Sequence, residues 1–157
     1  MNDFVVKNGI QLGGSAKGNA SDVTLGTGTY NLEVAAYDGV SLNTSATTFT
    51  SLTVAFNNDG TKLYFSGQSF GRIYQYSLST AFDITSATYD NIFFSISGYD
   101  NQPYGLAFNN DGTKFYLLGN QTNTVYQFSM TAAFNIGSAS YDSISYSVAA
   151  QDTTVFD

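Results

Sequence analysis

Carboxylates are the only plentiful reactive side chains in this sequence: eleven Asp and a single Glu, Glu33. Two carboxylates held on facing elements would equip a glycosidase, and an Asp/Asn-rich loop would equip a calcium site. The neighbouring residues argue for neither. Asp38, Asp59 and Asp111 each precede Gly, and Asp90 and Asp100 each precede Asn. That is the chemistry of turns, where Asp bonds its own backbone and Gly accepts a left-handed conformation. The stretches 57–61 and 109–113 both read Asn-Asn-Asp-Gly-Thr, without the alternating acidic positions of an EF-hand loop. With no His and no Cys, the commonest general base, the commonest metal ligand and the thiol nucleophile are all missing. No catalytic residue, metal set or cofactor is assigned. Only Lys7, Lys17, Lys62, Arg72 and Lys114 are basic, so no cationic stripe exists to neutralise phosphates and nucleic acid is not an expected partner.

The elements that must carry these residues follow from composition and periodicity. The 157 residues are 43% hydrophobic and 16% aromatic, with 11% charged and a net charge of −7; a typical globular domain has about 25% charged residues. The surface must therefore be largely Ser, Thr, Asn, Gly and Gln. No apolar run nears the roughly 18 residues that span a bilayer. The opening residues lack a basic stretch leading into an apolar one, so neither a membrane nor a signal peptide is expected.

Self-comparison is the strongest signal. Residues 55–62 (Ala-Phe-Asn-Asn-Asp-Gly-Thr-Lys) recur at 107–114, an offset of 52, and 55–98 match 107–150 at 22 of 44 positions without a gap. The chain holds two copies of one supersecondary unit, repeat one over about 51–102 and repeat two over about 103–154. Each copy reads as four strands: 52–57, 62–67, 72–79 and 92–98, with counterparts 52 residues on. Tyr74, Tyr76 and Leu78 alternate with Ile73, Gln75 and Ser77, the period of two that marks a strand. Residues 80–90 keep Phe82, Ile84, Ala87 and Tyr89 as Phe134, Ile136, Ala139 and Tyr141, which predicts a connection packed back over its own sheet. Tyr64, Tyr74, Phe82, Tyr89 and Tyr116 are expected core residues.

Residues 1–45 lack the repeat and are expected to form a separate attachment or oligomerisation segment ahead of a 46–157 β domain. Phe4–Leu12 reads as a hairpin about Asn8-Gly9, 13–29 as an extended arm and 30–36 as a strand.

Four strands in about 50 residues, with the Phe-x-x-Asp-Gly-x-Lys-x-Tyr pattern of 56–64 and 108–116, resemble a β-propeller blade of the lactonase-like or NHL-like type. Residues 78–89 and 147–154, with the opening 4–10, resemble more closely the tandem-repeat structural proteins of tailed-phage virions, particularly marine ones. The resemblance implies an all-β fold of two four-stranded propeller-like blades behind an N-terminal hairpin and arm. It implies a non-enzymatic virion component, in the tail-fibre apparatus or as a capsid decoration, that acts by assembly and display. Its implied partners are other virion proteins, further copies of itself and a host-surface glycan. Propellers close with about four to eight blades and this chain has two. The open face would then be completed by other copies, by the N-terminal strands or by another protein. A carbohydrate- or protein-binding module of a bacterial surface protein is the alternative. An enzyme is disfavoured by the missing His and by the absence of a polar constellation kept in both copies.

Within that frame, candidate contact residues come from the loop after the second strand, which differs most between copies. Repeat one has Gln68-Ser-Phe-Gly-Arg72 where repeat two has Asn120-Gln-Thr-Asn-Thr124. Variable loops on a constant scaffold suit recognition, which nominates Phe70, Arg72, Gln121 and Asn123. Phe93 joins them, since Ser145 takes its place in repeat two.

Overall fold

The computed structural model describes residues 5–6, 10–11, 37–45, 50–67 and 70–151, without the side chains of residues 5–6, 10–11 and 52. The chain divides into two compact units, Met1–Gly39 and Val40–Asp157. In the first, β1 (Val5–Val6) pairs antiparallel with β2 (Ile10–Gln11), the ends of the hairpin expected there. The arm at 13–29 and the strand at 30–36 lie outside the described residues. The second unit takes in Val40–Ser45, residues assigned from sequence to the N-terminal segment, and Leu42 packs on the apolar cluster around Leu63 and Phe65.

The described fold is all-β, with helix limited to single 3-10 turns. Repeat one forms β3 (Ser51–Phe56), β4 (Lys62–Gly67), β5 (Arg72–Leu78) and β6 (Ala87–Ser95); repeat two forms β7 (Pro103–Phe108), β8 (Lys114–Gly119), β9 (Thr124–Met130) and β10 (Ala139–Ser147). Each set is a four-stranded antiparallel meander in sequence order, and β3 runs beside β7.

Local chemistry sets each turn. In the first hairpin Asn57 Oδ1 accepts the Lys62 N–H at 2.8 Å, and Asp59 Oδ1 accepts both the N–H and the hydroxyl of Thr61. The bonds from Thr61 hold the Asp59 carboxyl below its usual range. Asn109, Asp111 and Thr113 repeat the arrangement. Gly60 sits at φ +71° with the Phe82 ring laid directly over it, and Gly112 at +68° under Phe134. Gly alone supplies that backbone angle without a Cβ in the space the ring occupies.

The fourth strand starts at Ala87 and Ala139, five residues before the predicted start. The connection is thus shorter than 80–90: a reversal through Phe82 and one 3-10 turn at Ile84–Ser86. A bulge explains the error. Register slips between Gln75 and Tyr76 opposite β6 and between Tyr141 and Ile144 in β10, with Asn91 and Ser143 in left-handed backbone. Two residues, Asp90-Asn91 and Asp142-Ser143, stand unpaired there, so the faces keep their alternation across the bulge, and the Asp-Asn pair reads in sequence as a turn instead of the middle of a strand.

Both faces of the first sheet are apolar. Tyr64, Ile73 and Ile96 form one core with Phe115, Leu117, Phe128, Met130 and Ile136 of repeat two. Phe115 and Phe128 stack at 4.6 Å, and Phe94 of repeat one meets both edge-on; such pairs add about 0.5–1.5 kcal/mol each beyond area burial. The opposite face of repeat one carries Leu63, Phe65, Tyr74, Tyr76 and Leu78, backed by Phe56, Ile84 and Tyr89. Of the expected core residues, Tyr64 and Tyr74 are buried and Tyr89 and Tyr116 half-buried, but Phe82 is 59% exposed. Its counterpart Phe134 is half-buried because repeat one covers it, with the Tyr64 hydroxyl donating to its carbonyl.

Candidate functional site

The register of β5 and β6 brings three of the five nominated residues together. Tyr74 pairs with Phe93 and Arg72 with Ser95, so Arg72 and Phe93 are diagonal neighbours on one face. The Arg72 guanidinium lies 3.9 Å from the Phe93 ring centroid and 6.0 Å from that of Phe70. Both rings are exposed, 49% for Phe70 and 44% for Phe93. A cation over an aromatic face gains about 0.5–1 kcal/mol at such exposed positions, which favours the guanidinium over the Phe93 ring. The result is a semi-rigid surface patch with two apolar ring faces and a fork of N–H donors. It suits stacking against a sugar or planar group and donating to its oxygens.

The other two candidates stand on repeat two and are not part of this patch. Gln121 is exposed in the β8–β9 turn. Asn123 shapes the backbone there: it holds φ +48° where repeat one has Gly71 at +54°. Its carbonyl accepts the Val148 N–H, as that of Gly71 accepts the Ile96 N–H. Asn is among the few residues other than Gly that enter this region readily.

A second polar group is repeated in both copies, contrary to the expectation that none is. Lys62 Nζ pairs with Asp90 at 2.9 Å and donates to Ser77 Oγ; Ser77 and Gln75 also donate to the Asp90 carboxylate. Lys114, Asp142, Ser129 and Gln127 repeat the motif, with the pair again at 2.9 Å. Asp90 is therefore not a turn residue: the bulge turns its carboxylate back across the sheet. Asp100 keeps the turn reading, its Oδ1 capping the backbone two residues on, and also makes a cross-link. It is 2% exposed, and its two oxygens accept the Gln102 N–H and both donors of Thr122, tying the inter-repeat loop to repeat two. The signal for the first group is present in the sequence, since Lys, Gln, Ser and Asp all recur at the offset of 52.

The electrostatics fit a latch. Burial raises the Asp90 pKa, but the bonds from Ser77, Gln75 and Lys62 outweigh it, for a net lowering. Bonds from Gln127, Ser129 and Lys114 bring Asp142 to about 2. The Ser77 hydroxyl and the Lys62 ammonium are both engaged by the Asp90 carboxylate. Gln75 extends the latch between repeats, because its Oε1 accepts the buried Ile136 N–H at 3.0 Å. Among the described residues no cluster of three or more Asp or Glu could hold a metal ion. No helix there is long and apolar enough to cross a membrane.

Comparison of the chain with protein-family models, with curated proteins and with solved structures gave no match.

Proposed function

We propose that the chain is a non-enzymatic structural protein of a tailed-phage virion, in the tail-fibre apparatus or on the capsid, and that its two sheets are propeller-like blades. The observation that carries this reading is the duplicated polar latch. What the two copies keep beyond turns and core is a set of side chains that bond one another, and in repeat one Gln75 of that set also ties sheet to sheet. Such a unit is a building block. The virion assignment rests on the resemblance of residues 78–89, 147–154 and 4–10 to phage structural repeats. The test is fractionation: the chain should band with intact particles on a density gradient at a fixed ratio to the major capsid protein. Its recovery only from the non-particulate fraction would refute the assignment.

The Phe70–Arg72–Phe93 patch favours a second reading, a glycan- or protein-binding module of a bacterial surface protein. Phe93→Ser installs the residue that repeat two carries at the same position, so the fold should tolerate it. Binding on a bacterial glycan array that falls at least about tenfold with Phe93→Ser would support recognition by the patch. Unchanged binding would remove it.

A further inference from the structure

Lys62, Arg72 and Lys114 are the described basic residues, and two of them are already paired: Lys62 and Lys114 each hold an aspartate at 2.9 Å. Arg72 meets no carboxylate among the described residues, in a chain of net charge −7. Rings hold it instead. Its guanidinium lies 3.9 Å from the centroid of Phe93 and 6.0 Å from that of Phe70. Stacking engages the flat face of a guanidinium and leaves its N–H groups, which lie in the plane, for other partners. Together those groups form the fork that matches a carboxylate through two parallel bonds.

The surface around Arg72 is open and carries further polar groups. β6 is an edge strand of its sheet, and Ser95 stands opposite Arg72. Side chains two apart share a face of a strand, so Phe93 and Ser95 line up beside the guanidinium. The Ser97 hydroxyl lies 3.1 Å from that of Ser95 and ends the row. Phe70, Phe93, Ser95 and Ser97 are all exposed. Repeat two builds the same four-stranded sheet with Thr122, Thr124 and Ser145 in place of Phe70, Arg72 and Phe93, so the fold does not require these three side chains.

A ligand that meets all of these groups is a sugar ring with a carboxylate on it. Phe93 packs against the guanidinium and fixes the fork. Phe70 stands further off and keeps 49% of its surface open, which suits the apolar C–H face of a pyranose. The Ser95 and Ser97 hydroxyls can donate to or accept from the ring hydroxyls. A neutral hexose leaves Arg72 without a charge partner, and a small carboxylate such as acetate gains no ring contact. We infer that the Phe70–Arg72–Phe93 patch binds a hexuronic acid residue of an acidic saccharide, with the carboxylate on the Arg72 fork and the sugar ring against Phe70. This rests on the second reading of function, that the patch recognises a ligand, and names the group that ligand carries. Phe93 is then a positioning residue and Phe70 a contact residue.

The test probes the full chain against immobilised glycans in matched pairs, glucuronic acid against glucose and galacturonic acid against galactose at the same terminal position, with peptides ending in Asp or Glu alongside. In at least one pair the unmodified chain should bind the acid about tenfold or more tighter than the neutral sugar, the gain of a hydrogen bond to a charged group. Arg72→Thr, which installs the repeat-two residue, should remove that difference. Arg72→Lys, which keeps the charge without the fork, should restore less than about half of it. Phe70→Thr should weaken acid and neutral sugar by the same factor. Equal affinity for acid and neutral sugar that falls with Phe93→Ser would overturn the hexuronic acid and keep the patch as a glycan site. Glycan binding that none of the variants changes, or no glycan binding at all, would overturn both. Arg72-dependent binding confined to the peptides would overturn the saccharide in favour of a protein carboxylate. Full recovery with Arg72→Lys would overturn the role of the fork.

Discussion

Replacing Gln75 by Leu and, separately, Gln127 by Leu asks whether the inter-repeat latch holds as described, because the two glutamines share the aspartate bond and differ in burial and in a second partner. Each donates to an aspartate at 2.7 Å, and a hydrogen bond to a charged group contributes about 1.5–3 kcal/mol. Gln75 is also 2% exposed and accepts the N–H of Ile136, a residue with no exposure. Its loss leaves that donor buried without a partner, a further cost of about 1–3 kcal/mol. Gln75→Leu should therefore destabilise by about 3–5 kcal/mol and Gln127→Leu by about 1.5–3 kcal/mol. Urea unfolding measures both, at a dilution where the mass is that of one chain. With m near 2 kcal/mol/M the midpoints should fall about 1 M apart, m itself unchanged. Equal losses, or a larger loss for Gln127→Leu, would refute the assignment of Gln75 as the bond between sheets.

Other outcomes follow from the same geometry. Asp142 has a folded pKa of about 2 against an ordinary 3.8, so its contribution is fully present above pH about 4 and is lost as pH falls through about 2. Urea midpoints should decline across that window, and Lys114→Met should raise the carboxyl pKa read by NMR titration; an unchanged pKa would show that the pair does not set it. Gly112→Ala places a methyl inside the Phe134 ring at φ +68° and should cost about 2–4 kcal/mol. Gly98→Ala, which meets nothing within 4 Å, should change stability by less than about 0.5 kcal/mol, so similar losses by thermal melts would contradict the turn geometry.

Much of this architecture is legible in the residues. The offset of 52 defines the repeat, and the alternation of Tyr74, Tyr76 and Leu78 against Ile73, Gln75 and Ser77 sorts the two faces of β5 as the cores divide them. What escapes the sequence depends on registers that periodicity does not contain. The two-residue bulge with Asn91 and Ser143 in left-handed backbone puts Asp90-Asn91, a turn pair by composition, in mid-strand, which hides the first half of β6 and makes Asp90 resemble a turn residue. Phe82 reads as core because its counterpart Phe134 is partly covered, yet covering it requires a neighbouring sheet that repeat one lacks within the described chain. Phe70, Arg72 and Phe93 each stand out for differing from repeat two; that Arg72 reaches over Phe93 follows from the diagonal between β5 and β6. Asn123 stands out for the same difference and proves to replace Gly71 in a left-handed turn.

The most direct measurement is hydrogen exchange at the Ile136 amide, read by NMR in the unmodified protein, in Gln75→Leu and in Gln127→Leu. The bond from the Ile136 N–H to Gln75 Oε1 predicts a protected amide whose protection falls further in Gln75→Leu than in Gln127→Leu. Equal protection in the two variants would contradict the claim that Gln75 joins the sheets.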